Sequence, residues 1–279
     1  MKLSAEQIKG RIRNIAKENS ADARALIRMY MMERFLERAS VSAYKDNIIV
    51  KGGFLVTAMV GVNMRSTMDI DASIKNINLS MDDAKKMIAD IASIELDDGI
   101  TFVVKDAADI MDDADYPGIR IYLDALIDRI KMPFKVDIST GDIITPAEIQ
   151  YDYKLLLEDR SVTLWSYNIE TLLSEKIQTV LSRGVLNTRM RDFYDIYMLQ
   201  LKCRYDIDYE VLAEALNSTC NKRGTPDVLN DAEKIIYEIS NDTIMRNRWD
   251  AYRRKYDYAS GISIDMVLDS VKKITWSSF

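Results

Sequence analysis

K-G-G-F-L-V-T-A-M-V-G-V-N-M-R-S-T-M-D-I-D, residues 51–71, decides how this chain is read. Gly52 and Gly53 open it, a short helical segment over 55–60 follows, and an Asp-x-Asp pair closes it on a strand predicted over 68–74. Residues i and i+2 of a strand share a face, so Asp69 and Asp71 stand side by side. Two such carboxylates repel unless a cation lies between them. Mg²⁺ held by one or two carboxylates plus substrate phosphates is a common cation of that kind. A Gly-Gly turn lets backbone N–H groups approach those phosphates closely. The arrangement reads as a site for metal-assisted nucleotidyl transfer. Asp-x-Asp alone is a weak signal, because surface carboxylates are common. The order of apolar strand, Gly-Gly, short helix and R-x-T-x-D-I-D gives it weight.

Composition narrows the chemistry. The chain has 279 residues, few of them Gly or Pro, enough for one large or two modest domains with real cores. Histidine is absent. That excludes Ser-His-Asp and Cys-His catalysis, histidine-ligated zinc and any histidine base. Cys203 and Cys220 form no metal or redox motif and suit a reducing compartment. Oxygen ligands then favour hard cations, Mg²⁺ or Mn²⁺. No apolar run approaches the roughly 20 residues of a membrane span, and the N-terminus has no apolar signal core, so the expected location is cytoplasmic.

A net charge of −6 means the surface as a whole does not attract nucleic acid. Two local segments are basic, 183–191 and 246–256. The second interleaves arginines with Trp249, Tyr252 and Tyr256. That composition suits phosphate contact and base stacking. It equally suits an amphipathic helix with its aromatics in the core, the weightier of the two readings.

Outward from the opening motif, helical spacing covers 4–17 and 20–43, and Asn47–Lys51 reads as a strand. Ser80 is the expected N-cap of a helix running to about Ile94, with Asp83 in the capping-box position. Strands are expected at Thr101–Lys105, Gly118–Leu126 and Phe134–Thr140, with Pro117–Gly118 as a turn. Asp137 sits mid-strand between apolar neighbours, where an unpaired charge is costly, so it asks for a metal or a cation partner. After about residue 165 the pattern turns nearly all helical, with segments near 168–184, 189–202, 208–219, 227–239, 241–256 and 262–275.

A second polar block lies at 174–199. Glu175 and Lys176 share one helix, and Arg189, Arg191, Asp192 and Asp195 open the next. A lysine facing a triphosphate neutralises charge on a leaving group, and arginines add bidentate phosphate contacts. Asp192 is placed to hold Lys176, to bind a metal, or to take a proton from the acceptor. An interhelical salt-bridge cluster without chemistry accounts for the block equally well.

Together these blocks resemble the AbiEii/AbiGii toxin family of the DNA polymerase β-like nucleotidyltransferase superfamily. The matching pieces are K-G-G at 51–53, R-S-T-M-D-I-D at 65–71, V-D-I-S-T-G-D-I-I-T-P at 136–146, E-K-I at 175–177 and R-M-R-D-F-Y-D-I-Y at 189–197. The resemblance implies an α+β fold. A polymerase β-like nucleotidyltransferase core with a mixed sheet and N-terminal helices would occupy 1–165. A C-terminal helical domain over 166–279 would complete the active site.

It also implies a toxin of a toxin–antitoxin pair acting in abortive phage infection. Some relatives transfer nucleotides from an NTP to the 3′ end of tRNA, and others are known mainly for binding GTP. By the same resemblance Gly52 and Gly53 cradle the triphosphate, and Asp69 and Asp71 hold Mg²⁺. Asp137 matches a third carboxylate, and Lys176 and Asp192 match a later essential pair. Arg65, Thr67 and Arg191 support the nucleotide, which is GTP or CTP. The implied partners are an RNA acceptor, in the first place tRNA, and a cognate antitoxin. One position departs from the superfamily: Phe54 follows Gly-Gly where Ser or Thr is common, leaving phosphate contact to backbone amides.

Overall fold

The computed structural model describes residues 3–19, 21–62, 64–65, 67–77, 79–110 and 118–277. The chain divides into two compact units, one of Met1–Asp142 with Glu148–Ser166, the other of Ile143–Ala147 with Tyr167–Phe279.

The first unit is built on a seven-stranded mixed sheet. In chain order it contains α1 (Ala5–Asn19), α2 (Ala23–Val41), β1 (Ile48–Lys51), α3 (Gly52–Val60), β2 (Asp69–Ile74), α4 (Met81–Ala92), β3 (Thr101–Ile110), β4 (Gly118–Ile127), β5 (Ile130–Thr140), β6 (Ile149–Lys154) and β7 (Ser161–Ser166). The strand order is β3-β4-β5-β2-β1-β7-β6. Only β2–β5 and β1–β7 are parallel. The Pro117 turn expected before β4 lies outside the described residues.

Alternation along the central strands separates the two faces. Val50, Ile70, Ala72, Ile121, Leu123, Phe134, Val136 and Ile138 are buried. Phe35 of α2 packs edge-on against Phe102 and Phe134, at ring-centroid distances of 5.5 and 5.8 Å. The opposite face carries the polar residues of the same strands, Asp69, Asp71, Lys135, Asp137 and Arg120. Ser80 caps α4 through the expected capping box with Asp83.

Strand β5 starts at Ile130, ahead of the expected Phe134, and so includes Pro133. Proline lacks the N–H that a doubly paired strand needs. Pro133 pairs only with Asp124 of β4, because the β2 ladder begins at Lys135. Its missing donor therefore leaves no gap in the sheet.

Helix α2 carries an ionisable cluster into this core. Arg38 forks onto Asp98 at 2.7 and 2.9 Å, and it also reaches the carbonyls of Ile94 and Ile100. Glu33 is buried, accepts the Leu156 N–H at 2.8 Å and lies 3.2 Å from Arg34. Burial raises the Glu33 carboxyl to about 7. A carboxyl raised on folding favours the protonated folded state, so stability falls as pH rises from about 4.5 through about 7. Glu33→Gln keeps an acceptor for Leu156. It should match the wild type near pH 4 and exceed it at pH 8 by roughly 3 kcal/mol, as read by urea unfolding at the two pH values.

The second unit is helical. It comprises α5 (Ile169–Arg183), α6 (Met190–Cys203), α7 (Tyr209–Lys222), α8 (Ala232–Asn241), α9 (Thr243–Lys255) and α10 (Ile264–Ser277). Buried positions surround α5 on every side, as expected of a central helix. Asn168 caps it, and its amide also donates to the carbonyls of Thr145 and Ala147 at 2.7 and 3.1 Å, holding residues 143–147 in this unit. Among the described residues no helix is long and apolar enough to cross a membrane.

The aromatics of α9 belong to this core. Trp249 and Tyr252 are buried, their rings stacked at 5.4 Å, and the Trp249 indole N–H donates to the Ile262 carbonyl at 3.0 Å. Arg248 donates to the carbonyls of Val185 and Asn187. Most of the 246–256 segment lies in α9, an amphipathic helix that puts Trp249 and Tyr252 in the core.

Candidate active site

Register places the polar side chains of the first unit in rows. Arg120 of β4 opposes Asp137 of β5, Asp137 opposes Asp71 of β2, and Asp71 opposes Lys51 of β1. The neighbouring row runs Tyr122, Lys135, Asp69. Adjacent strands lie about 4.8 Å apart, so each row is a line of near neighbours. Asp69 and Asp71 do share the polar face, as their spacing predicts.

The glycines sit against these carboxylates in an unexpected way. Helix α3 begins at Gly52 itself, so no separate turn precedes it. The Gly53 N–H, expected at a phosphate, donates here to Asp71 Oδ2 at 2.9 Å and so anchors the carboxylate. Gly52 has φ +58°, and a Cβ there would lie 2.3 Å from Asp71 Oδ2. Both the backbone conformation and the space demand glycine. Gly52→Ala should lower the melting temperature, because relief of the clash must move Asp71; calorimetry reads the shift.

Gly53 is equally confined. A Cβ on it would meet the Arg65 guanidinium at 2.8 Å and Thr67 Oγ1 at 3.0 Å. Arg65 and Thr67 are buried. Arg65 Nη1 donates to the Gly53 carbonyl at 2.7 Å and to Thr57 Oγ1 at 3.2 Å, and Thr67 Oγ1 donates to the Asp69 carbonyl at 3.2 Å. Both residues, expected as nucleotide contacts, brace the start of α3 and of β2 in this structure. A buried guanidinium needs acceptors, and here the backbone provides them. Phe54 is buried against Tyr153, rings stacked at 5.1 Å, which is why an apolar residue follows Gly-Gly.

Asp71 is the electrostatically stressed member. Burial raises its carboxyl pKa, and the charges of Asp137 and Asp69 raise it further, against the opposing Gly53 N–H and Lys51. The Lys135 ammonium lies 3.9 Å from Asp69 Oδ1. Lys51 turns to Asp142 at 2.7 Å, and Ser139 Oγ donates to the same carboxylate oxygen at 2.6 Å. Asp142 is thereby held down at about 2 despite its burial, chiefly by Lys51.

Asp137 has the cation partner its position asks for, but that partner is an arginine. Arg120 Nε and Nη2 bond its two oxygens at 2.8 and 2.7 Å. Among the described residues no three His, Cys, Asp or Glu side chains converge as a metal-holding group. The expected ligand set of Asp69, Asp71 and Asp137 is not gathered around one point. Asp69 and Asp71 still fit a hard divalent cation: their donors are all oxygen, they share one face, and like-charge crowding at Asp71 is what a cation relieves. Sequence reading missed Lys51, Arg120, Lys135 and Asp142, whose alignment with Asp69, Asp71 and Asp137 appears only with the strand register.

The second polar block forms a buried ion cluster inside the helical unit. Lys176 Nζ lies 3.1 Å from Asp192 Oδ1 and 2.8 Å from Asp195 Oδ2. Arg189 adds a 2.6 Å contact to Asp192 Oδ2. Burial pushes the Asp192 carboxyl up, but the charges and hydrogen bonds of Lys176 and Arg189 together outweigh it and hold its pKa below the ordinary carboxylate value. Of the roles open to Asp192, holding Lys176 is the one the geometry displays. Arg191 sits over the Tyr256 ring at 5.6 Å and donates to its hydroxyl at 3.3 Å.

Comparison with known proteins agrees with this architecture. The fold is similar to two solved Helicobacter pylori structures. One is JHP933, with 16% identity, 91% of this chain and 90% of that chain covered, and a TM-score of 0.52. The other is a protein described as a candidate nucleotidyltransferase, with 17% identity, 91% and 96% covered, and a TM-score of 0.50. No curated protein matches in sequence. The family model for the AbiEii nucleotidyl transferase toxin of type IV toxin–antitoxin systems matches residues 34–270, taking in both glycines, the carboxylate rows and the lysine–aspartate cluster. The chain belongs to the AbiEii nucleotidyltransferase toxin family.

Proposed function

We propose that this toxin transfers an NMP group from an NTP, GTP or CTP, to the 3′-hydroxyl of an RNA, with tRNA the first acceptor to test. The observation that carries the reading is the carboxylate pair of β2, Asp69 and Asp71, with Asp71 anchored on the Gly53 amide. In the reaction the acceptor oxygen bonds to the α-phosphorus, the bond to the β-phosphate oxygen breaks, and pyrophosphate leaves. Asp69 and Asp71 would hold Mg²⁺ or Mn²⁺, which supplies charge neutralisation at the α-phosphate and the leaving group.

The chain's own residues set the stage for this. Gly53 fixes one oxygen of Asp71, so the carboxylate need not reorganise on binding. Arg65 and Thr67 immobilise the backbone on either side of it. Lys135, beside Asp69 and half-exposed, is a cation within reach of a phosphate bound there. Lys176, Asp192 and Arg191 enter the reading through family resemblance, as does the cognate antitoxin.

Purified protein with total RNA, Mg²⁺ and each α-phosphate-labelled NTP tests the proposal, beside Asp69→Asn. The expected result is label on a discrete RNA band that is lost in the variant. NTP binding with label on no RNA rejects the acceptor, and label on protein instead redirects it to a protein hydroxyl.

A further inference from the structure

The row Arg120–Asp137–Asp71–Lys51 crosses four strands with charges plus, minus, minus, plus. Its two end cations are committed differently. Lys51 pairs with Asp142, off the row, at 2.7 Å. Arg120 is drawn inward, its fork closed on both oxygens of Asp137. Asp137 is therefore a near neighbour of the candidate metal pair that already has a full cationic partner.

Resting on the metal reading given above, we infer that Arg120 is a positioning residue that withholds Asp137 from the cation, so that the site is a two-carboxylate site of Asp69 and Asp71. The physical ground is simple. A carboxylate bridging a guanidinium and a divalent ion would bring the two cations within a few ångströms, a strongly repulsive arrangement outside bulk water. The two cations compete for the carboxylate's charge, and the bidentate fork is the geometry that holds a carboxylate most firmly. The arrangement has a second use. Asp69, Asp71 and Asp137 together place three negative charges on adjoining positions of two strands. Arg120 cancels one of them, so the sheet can form before any cation binds. Lysine would not do the same, since a single ammonium cannot occupy both oxygens in a fixed plane.

The test is Mn²⁺ titration of the full chain by calorimetry, with the melting temperature of each metal-free variant measured in parallel. Asp137→Asn should bind Mn²⁺ within about threefold of the wild type, whereas Asp69→Asn should lose at least about tenfold. Arg120→Gln should lower the metal-free melting temperature and tighten Mn²⁺ binding roughly tenfold, by releasing a third carboxylate and removing a competing cation. That gain should vanish in Arg120→Gln/Asp137→Asn. Arg120→Lys should fall between wild type and Arg120→Gln in affinity, a gradation that a purely structural arginine would not produce. If Asp137→Asn weakens binding as much as Asp69→Asn, Asp137 is already a ligand and the inference is overturned, while the metal reading stands. If Arg120→Gln binds with wild-type affinity, Arg120 withholds nothing. Absence of Mn²⁺ binding in the wild type removes the metal reading and this inference together. Should Arg120→Gln fail to fold, the Asp137→Asn and Asp69→Asn pair still decides.

Discussion

Lys176→Met is expected to destabilise the helical unit by about 3–5 kcal/mol, the cost of removing one partner from a buried ion pair. The lysine joins α5 to α6 through Asp192 and Asp195, whose side chains are 4% and 0% exposed. Arg189 remains to serve Asp192. Asp195, fully buried, loses the ammonium 2.8 Å away. Urea unfolding measures the effect. Lys176→Met/Asp195→Leu, which replaces cation and anion by apolar groups, should recover most of the stability, because an intact buried pair and an apolar pair are often nearly equivalent. If Lys176→Met keeps wild-type stability and loses transfer, the lysine belongs to the chemistry. If it loses stability and the double variant regains both stability and transfer, the cluster is a fastening between helices.

The second large effect concerns Asp71. Asp71→Asn should lower transfer by roughly 10³-fold, the scale on which one preorganised electrostatic contact acts. The metal-free variant should nevertheless melt above the wild type near neutral pH. The sign follows from the raised carboxyl, which burial, Asp137 and Asp69 make harder to ionise in the folded protein. A folded-state pKa above the unfolded value means that ionisation opposes folding at pH values above both. Asparagine removes that opposition and still accepts the Gly53 N–H. The gain should disappear at pH 3, where the wild-type carboxyl is protonated in either state. Calorimetric melts at pH 3 and pH 7.5, run beside the transfer assay, read both halves. A variant that melts below the wild type at neutral pH would mean that the Gly53 anchor outweighs the charge crowding.

What could be read from the sequence was local. Asp69 and Asp71 are two residues apart on one strand, so their shared face followed from the pleat. Ser80 and Asp83 form a capping box whose every contact lies within four residues. The bounds of α5 and α6 followed from periodicity for the same reason. Strands β6 and β7 were not anticipated. In β6 only Tyr153 is buried, so an edge strand written I-Q-Y-D-Y-K shows almost no apolar alternation. In β7 the alternation is present, with Val162, Leu164 and Ser166 turned inward, but over six residues it is too brief to stand out beside the long helical pattern that follows.

The candidate site was legible in the same measure. Its carboxylates were visible, but their partners were not. Arg120 lies 17 residues from Asp137, and Lys51 lies 91 residues from Asp142. Only strand register brings such residues together. The backbone bonds of Arg65 and Thr67 were not legible either, because a motif shows which residue types recur without showing what each one touches.

The path of the backbone between the two units has a practical consequence for dissecting this toxin. Residues 143–147 leave the first unit for the second, and 148–166 return before the final departure at Tyr167. The returning piece is β6 and β7, and β7 is laced to β1. No single scission therefore frees one unit from the other. A protease that nicks the chain near residue 147 would leave fragments still joined through the sheet, and such a nicked protein should run as one species until denatured. A gene truncated after Ser166 would strip Thr145 and Ala147 of the Asn168 amide that holds them. Splitting the toxin into coexpressed halves at residue 147 is the dissection its topology permits.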